Sequence, residues 1–321
     1  MLNSPVLVEK SRFINAPAEQ VWSLLSSPQA WSLRIASFAF DIVPASEERL
    51  RLAIILRKTR PACLLYEVTE DVPGQVMSLR TLPSGRERLT LRAQPADTGT
   101  LATIAAASLA TGSTVKGEVK AYWQVRLEAW LANLESVILD NHPWPDNAID
   151  PALSAACRPS GPLLSPAHVS ASTLIDAPQD RVWDALEAPG SHVLTDPDKF
   201  VCAGHVPGTP TGEVGEMQYV IARDDKGRLN AATIVVTELA GPHRAVTALV
   251  GSRRFETQYE VASTPNGTAL TLTYRYAHDK GSPTDKGELT AVLQANLGRL
   301  KTMIENGSND QPPSAESSEA P

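Results

Sequence analysis

Hydrophobic and polar residues alternate along several short runs of the chain, at residues 49–57, 88–92, 254–261 and 270–276. Successive side chains of a strand point to opposite faces, so this period of two predicts strands with one buried and one solvated face. The "TPNG" turn at 264–267 separates the last two runs and favours an antiparallel hairpin there. In the first run, the predicted core positions are Leu50, Leu52, Ile54 and Leu56, and the predicted outward positions are Arg49, Arg51, Ala53 and Arg57.

Two longer segments carry the period of an amphipathic helix instead. After Val119 the apolar positions follow at steps of four, four, three and four residues, and the same steps follow Leu289. These positions are Trp123, Leu127, Trp130 and Leu134 in the first segment and Leu293, Leu297, Leu300 and Ile304 in the second. The tripeptide Lys-Gly-Glu opens both segments, at 116–118 and 286–288. We expect each half of the chain to end in a long helix that covers the buried face of an antiparallel sheet.

A nine-residue phrase occurs twice in the chain, as "INAPAEQVW" at Ile14–Trp22 and as "IDAPQDRVW" at Ile175–Trp183. The two phrases lie 161 residues apart and the two Lys-Gly-Glu tripeptides lie 170 residues apart, so the second copy is nine residues longer in its middle. Loops absorb such differences at small entropic cost. The chain is therefore predicted to contain two copies of one domain.

Each copy is predicted to begin with a strand, Val6–Ile14 or His168–Ile175, that leads into a short helix. The side chain of Asn15 or Asp176 is expected to accept the free N–H groups of the first helical turn, and the proline two residues later has a backbone preset for that turn. The tryptophan that ends each phrase is predicted to be a structural anchor. The predicted buried face of the two helices consists of Val21, Trp22 and Leu25, and of Val182, Trp183 and Leu186.

The segment between the copies is rich in proline, which lacks an N–H group and opposes both helix and sheet interior. The end of the chain has no large apolar residue to bury. We predict domains at residues 1–141 and 167–306, a proline-rich linker at 142–166 and a disordered tail at 307–321.

Composition narrows the classes of function. The net charge is -7, with no long basic run, so neither a nucleic acid nor an anionic membrane is an expected partner. No window of eighteen apolar residues occurs, which argues against a membrane span. The three cysteines form no CxxC pair, and no secretory signal pattern opens the chain, so a reducing, cytoplasmic setting is expected.

The order of elements and the repeated phrase together resemble the SRPBCC superfamily, also called START-like or Bet v 1-like. This superfamily includes polyketide cyclases, lipid-transfer domains and activators of the Hsp90 ATPase. The resemblance covers nearly the whole chain apart from linker and tail. It implies an α+β protein of two tandem helix-grip domains, each a curved antiparallel sheet wrapped on a long C-terminal helix. The phrase itself is a strand-to-helix joint and carries no chemistry, so the resemblance implies the fold rather than a function.

In this superfamily a cavity between sheet and helix holds an apolar small molecule in many members. In the second copy, the predicted buried face carries hydroxyl groups, which need partners. The candidate ligand-binding residues are Thr257, Tyr259, Tyr274 and Tyr276, with His205. The stretch "HVLTDPDKF" places Asp196 and Asp198 near the expected cavity mouth, as either a proton-transfer group with His205 or ordinary turn residues. The interior of the first copy is chiefly Leu, Ile and Ala, with Tyr66 and Thr103 as possible polar exceptions.

The six histidines show no HExxH or other metal-ligand spacing, and no nucleotide-binding motif is present, so neither a metal nor a cofactor is expected. Three functions stay open. The first is binding of a lipid-like or polyketide-like apolar molecule, mainly in the second domain. The second resembles the didomain polyketide aromatase/cyclases, which cyclise and dehydrate a chain inside the cavity, although no catalytic residue can be matched. The third is an interaction protein similar to the Hsp90-ATPase activators.

Overall fold

The structure, a computed structural model, describes residues 5–33, 37–42, 49–57, 60–109, 113–140, 149–158, 166–189, 191, 198–250, 255–277 and 286–307. Two compact units divide the chain: one comprises Met1–Arg57 and Leu64–Leu153, the other Lys58–Cys63 and Ser154–Pro321. Each domain is built on one antiparallel sheet of seven strands and ends in a long helix. This confirms the predicted α+β class with two tandem helix-grip domains.

The first domain runs from a strand and a short helix into a meander of six strands and a long helix. The strands are β1 (Val6–Ile14), β2 (Ser37–Ile42), β3 (Leu50–Arg57), β4 (Arg60–Val72), β5 (Val76–Leu82), β6 (Glu87–Ala96) and β7 (Gly99–Ser108). The helices are α1 (Ala18–Ser26), a 3-10 turn at Pro28–Leu33 and α2 (Ser113–Leu139). The sheet order is β1-β7-β6-β5-β4-β3-β2, so the first strand pairs with the last.

A short helix, α3 (Pro151–Cys157), precedes the second domain. The strands of this domain are β8 (Pro166–Ile175), β9 (Phe200–His205), β10 (Met217–Arg223), β11 (Leu229–Ala240), β12 (Arg244–Leu249), β13 (Phe255–Thr264) and β14 (Gly267–Ala277). Its helices are α4 (Gln179–Glu187) and α5 (Lys286–Asn306). The order β8-β14-β13-β12-β11-β10-β9 repeats the topology of the first sheet.

Helix α3 lies inside residues 142–166, the segment that the sequence predicts to be a proline-rich linker. Its first residue is Pro151, which suits the first helical turn because the missing N–H is one that has no partner there. Oδ1 of Asp150 accepts hydrogen bonds from the amides of Ala152 at 2.7 Å and Leu153 at 3.1 Å. The sequence analysis considered the proline content of this segment and did not identify this cap. The predicted tail, apart from Gly307, lies outside the described residues.

Aromatic rings fill the interior of the first domain, where α2 packs on β1. Trp31, Tyr66 and Trp130 are each 0% exposed. The ring centroids of Trp31 and Tyr66 lie 5.1 Å apart, and those of Trp31 and Trp130 lie 5.6 Å apart, both in edge-to-face arrangements. Such pairs add stability beyond the area they bury. Of the two possible polar exceptions to an interior of Leu, Ile and Ala, Tyr66 lies in this ring cluster, and the hydroxyl of Thr103 lies 2.8 Å from that of Ser11.

Strand β3 faces the core with the side that the sequence pattern predicts to be outward. Ala53 and Ile55 belong to the same buried cluster as Trp31 and α2, and Arg51, on the same face, is 1% exposed. Its guanidinium donates two hydrogen bonds to the carboxylate of Asp41, at 2.6 and 2.9 Å. The opposite face, with Leu50, Leu52 and Ile54, is buried as well. Alternation of arginine and leucine was misleading here because a paired arginine can be buried.

The two short helices begin without the predicted side-chain caps. Pro17 and Pro178 occupy the N-cap positions, and neither helix has a side-chain cap hydrogen bond. The connection between the first strand and the short helix is held instead by a Gly-Thr pair, at 99–100 in the first domain and at 267–268 in the second. The sequence analysis did not recognise this pair as part of the repeat. The hydroxyl of Thr100 donates to the carbonyl of Ala16 at 2.8 Å, and that of Thr268 donates to the carbonyl of Ala177 at 2.7 Å.

The glycine of this pair leads to a testable prediction. A Cβ on Gly99 would overlap the carbonyl oxygen of Ile14, and such overpacking costs about 1–3 kcal/mol. We expect Gly99→Ala to lower the free energy of unfolding by that amount in urea denaturation. Gly117→Ala is the matched control, because Gly117 lies inside α2 with nothing within 4 Å of its Cβ position. The free energy of unfolding of the control is expected to rise by about 0.5–1 kcal/mol. Equal effects of the two changes would contradict a close contact between Gly99 and Ile14.

Helix α5 begins at the predicted Lys286, whereas α2 begins at Ser113, three residues before the predicted Lys116. Within the described ranges, no helix is long and apolar enough to cross a lipid bilayer.

Candidate functional site

A cavity of about 300 Å³ lies in the second domain, between the inner face of the sheet and α5. Its apolar wall consists of Ala185, Leu186, Phe200, Val220, Ala222, Ala231, Ala232, Ile234, Leu272 and Leu300. The polar groups of the wall belong to Ser191, Asn230, Thr247, Thr257, Tyr259, Tyr274 and Asn296. All of these polar side chains are uncharged at neutral pH. The cavity therefore offers an apolar wall with a few neutral hydrogen-bonding groups.

The strand register aligns the hydroxyl groups along the floor of the cavity. Thr257 of β13 pairs with Tyr274 of β14 on one side and with Thr247 of β12 on the other. Tyr259 pairs with Leu272, so the two tyrosines are diagonal neighbours on one face of the hairpin. The period of two predicted this face correctly. The two phenol groups consequently lie near each other on the sheet.

Helix α5 supplies the opposite wall and orients one of the tyrosines. Nδ2 of Asn296 donates to the hydroxyl oxygen of Tyr274 at 3.0 Å, and Nη2 of Arg299 donates to Oδ1 of Asn296 at 2.6 Å. The ring of Phe255 contacts that of Tyr274, with centroids 5.1 Å apart. The phenol of Tyr274 is therefore held from two sides.

Both tyrosines stay neutral at physiological pH. Burial raises the pKa of Tyr259 well above its usual value, and a charge on nearby Tyr274 would raise it further. Burial also raises the pKa of Tyr274, although the hydrogen bond from Asn296 and the positive charge of Arg299 oppose that rise. Neutral phenols can donate a hydrogen bond to a ligand.

Of the five predicted site residues, three line the cavity: Thr257, Tyr259 and Tyr274. Tyr276 lies at the end of β14 and is 5% exposed, away from the cavity wall, and its hydroxyl has no hydrogen-bond partner among the described residues. His205 also lies off the cavity wall and pairs with Glu216. Asp198 is exposed, and His192 and Asp196 lie outside the described residues.

The cavity contains polar residues that the sequence analysis missed, chiefly Asn296, Asn230 and Thr247. A signal for Asn296 was present, because it lies three residues after Leu293 and four before Leu300, on the apolar stripe of α5. A polar residue inside such a stripe faces the core or a cavity. Asn230 carried no comparable signal, since it stands beside a turn.

A smaller cavity of about 40 Å³ adjoins the first and shares Leu186, Ile234, Thr247 and Tyr259 with it. Its polar wall includes Glu187, Glu216 and Gln218. The indole N–H of Trp183 donates to the Glu187 carboxylate at 2.6 Å, consistent with the predicted anchoring role of this tryptophan. Nε2 of Gln218 donates to the Glu187 carbonyl at 3.2 Å.

Glu216 is a buried carboxylate with three hydrogen-bond donors. Oε2 accepts from the amide of Gly212 at 2.6 Å, Oε1 accepts from Nε2 of Gln218 at 2.6 Å, and Nδ1 of His205 lies 3.0 Å from Oε1. Burial by itself would raise the pKa of this carboxyl, but the donors outweigh burial and hold the pKa below its usual value. The ionised form is therefore favoured by the folded chain.

Acid stability should depend on this carboxylate. Because its pKa is lower in the folded than in the unfolded chain, the stabilisation is present above the ordinary value of 4.5 and is lost as pH falls through the folded pKa. We expect Glu216→Gln to lower the free energy of unfolding at pH 7 by about 1–3 kcal/mol. In urea denaturation the difference from wild type should shrink below pH 4.5. Glu213→Gln, an exposed change in the same loop, is the control, and a pH-independent difference for Glu216→Gln would contradict this role.

Among the described residues, no three His, Cys, Asp or Glu side chains come together in a group that suits a metal ion. The wall of the larger cavity offers hydrogen-bonding groups and apolar contacts.

One protein family matches both domains, and several solved structures are similar to the chain. The profile of a family described as polyketide cyclase / dehydrase and lipid transport matches residues 5–138 and again residues 166–305. The di-domain ARO/CYC BexL from the BE-7585A biosynthetic pathway is similar over 93% of this chain and 98% of its own, at 15% identity and a TM-score of 0.37. The di-domain ARO/CYC StfQ from the steffimycin biosynthetic pathway is similar over 93% of this chain and 98% of its own, at 11% identity and a TM-score of 0.35. An AHSA1-like protein from Aeromonas hydrophila is similar over 44% of this chain and 93% of its own, at 20% identity and a TM-score of 0.34. No curated protein matches the chain.

Proposed function

The chain belongs to the polyketide cyclase / dehydrase and lipid transport family, and from this premise we propose that its second domain binds an apolar small molecule, lipid-like or polyketide-like, in the cavity between sheet and α5. The observation that carries the proposal is the cavity itself: about 300 Å³, with ten apolar side chains and seven neutral polar ones in its wall. Small-molecule sites have this combination of apolar wall and few polar groups, in cavities from about 300 Å³ upward.

The size of the cavity limits the ligand. Since sites of about 300 Å³ stand at the lower end of the usual range, the bound part is about the size of two or three fused rings or a short acyl chain. The uncharged wall favours a ligand without a full charge inside the cavity, because an unpaired buried charge is costly. The first domain, whose centre is filled by Trp31, Tyr66 and Trp130, has a structural role in this proposal.

Cyclisation or dehydration of the bound molecule is the second candidate. Family membership and two neutral phenols on the cavity floor favour it, because a phenol can donate to a carbonyl oxygen as negative charge develops there. The described wall holds no other titratable side chain. Binding is therefore the primary proposal, and turnover at the same site is the alternative. Among the residues of the second domain that the structure describes, no observation favours the interaction-protein alternative.

Two measurements on the full chain test binding. Native mass spectrometry of the purified protein is expected to show a 1:1 complex with a small molecule that organic extraction removes. The extracted protein is then titrated with N-phenyl-1-naphthylamine, an uncharged probe whose fluorescence rises in apolar surroundings. Saturable binding at one site per chain is the expected result. If the protein carries no small molecule and the probe fluorescence rises without saturation, the proposal is wrong.

A further inference from the structure

The hydrogen-bond chain between α5 and the cavity floor has a defined direction. A guanidinium can only donate, so Arg299 requires the oxygen of the Asn296 amide to face it. The amide nitrogen of Asn296 must then face Tyr274 and donate to its hydroxyl oxygen. Since that oxygen already accepts, the phenol has its own proton left to donate.

This proton has no acceptor in the described part of the chain. The one hydrogen bond of the Tyr274 hydroxyl is the bond that it accepts from Asn296. Tyr274 and Asn296 both line the large cavity, and so does Tyr259, the diagonal neighbour of Tyr274. A neutral donor facing an apolar cavity loses free energy unless an acceptor meets it.

We propose that Arg299 is a positioning residue that acts through Asn296 to fix Tyr274 as a hydrogen-bond donor, and that the cavity therefore selects apolar ligands that carry a carbonyl or similar acceptor oxygen. The inference rests on the proposed binding function and deepens it. The positive charge of Arg299 strengthens the donor, because donation toward the phenol oxygen polarises its O–H bond. A hydrocarbon of the same shape fits the apolar wall but leaves the phenol proton without an acceptor.

A pair of matched probes tests this selection. 2-Acetylnaphthalene and 2-ethylnaphthalene have nearly the same shape and differ in one oxygen acceptor. The dissociation constant of each is measured by displacement of N-phenyl-1-naphthylamine from the full chain. Tyr274→Phe is expected to weaken the ketone about 10-fold, the effect of one lost hydrogen bond in a dry site, and to change the hydrocarbon less than about 2-fold. Because both probes are compared in the same two proteins, their different affinities for water cancel.

Variants of Arg299 separate positioning from structure. Arg299→Met is expected to weaken the ketone by about 3-fold with the hydrocarbon unchanged, and Arg299→Lys, which can still donate to Asn296, is expected to restore most of the loss. The carbonyl stretching band of bound 2-acetylnaphthalene gives an independent readout. It is expected at lower wavenumber in wild type than in Tyr274→Phe, since a hydrogen bond weakens the C=O bond.

These experiments separate a failure of the roles of Tyr274 and Arg299 from a failure of the proposed binding function. Suppose that both probes bind, and that Tyr274→Phe either weakens their binding equally or leaves both dissociation constants unchanged. The binding function then stands, and the assignment of Tyr274 as a donor to the ligand is overturned. Equal losses for both probes in Arg299→Met, without rescue by lysine, would show a merely structural arginine and overturn its positioning role. If neither probe binds to wild type, the proposed function fails together with this inference.

Discussion

Trp130→Ala is expected to lower the free energy of unfolding of the first domain by about 3–5 kcal/mol. Trp130 is 0% exposed and contacts Trp31, itself in contact with Tyr66. Removing the indole deletes a large apolar volume at the centre of this ring cluster and leaves a void that rigid neighbouring rings cannot close. A loss of this size is a large fraction of the stability of an ordinary domain.

Guanidinium chloride denaturation of the full chain, followed by circular dichroism, measures the change as a shift of the transition of the first domain to lower denaturant. Val125→Ala is the control on the same helix, because Val125 is 62% exposed. The control is expected to stay within about 0.5 kcal/mol of wild type. A Trp130→Ala protein as stable as the control would contradict the filled interior of the first domain.

Thr257→Trp is expected to abolish most of the ligand binding of the second domain. Thr257 lies on the cavity floor between Thr247 and Tyr274. An indole there must project into the cavity, since strands flank it on both sides. Every 100 Å² or so of apolar ligand surface that can no longer be buried costs about 2.5 kcal/mol, roughly 70-fold in the dissociation constant.

Fluorescence titration with N-phenyl-1-naphthylamine measures this loss. The adjacent Gln258 lies on the opposite face of β13, where it donates to Glu260, so Gln258→Trp is the matched control. It adds the same indole to the same strand and is expected to bind the probe as wild type does. Thermal denaturation checks that both variants are folded. Equal binding by the two variants would contradict a ligand site on the cavity floor.

The sequence predicted the architecture well because two periodicities agreed. Period two placed Thr257, Tyr259 and Tyr274 on one face of a hairpin, and the helical stripe of α5 placed Leu293 and Leu297 against that sheet. The repeated nine-residue phrase then indicated that the two halves are copies of one domain, a conclusion that one amphipathic helix alone does not support. Fold and floor of the cavity both follow from local patterns of this kind.

Other features depend on partners that are distant in the chain. Arg51 follows the pattern of an outward residue, and its burial depends on hydrogen bonds to the carboxylate of Asp41 on the neighbouring strand and to the carbonyl of Ser26. The phenol of Tyr274 became a directed donor through Asn296 and Arg299, which lie 22 residues or more away along the chain. His205 was expected at the cavity because it follows the predicted mouth, but its strand presents it to Glu216. Hydrogen-bond partners of this kind are set by tertiary packing, which periodicity does not encode.

The central claim is that an apolar ligand sits in the cavity of the second domain, and nuclear magnetic resonance of a methyl-labelled full chain tests it most directly. In the complex with 2-acetylnaphthalene, nuclear Overhauser contacts are expected between the naphthalene ring protons and the methyl groups of Leu186, Val220, Leu272 and Leu300, which line the cavity. Contacts to methyl groups in the interior of the first domain instead, such as those of Leu79 and Leu91, or to none at all, would contradict the claim.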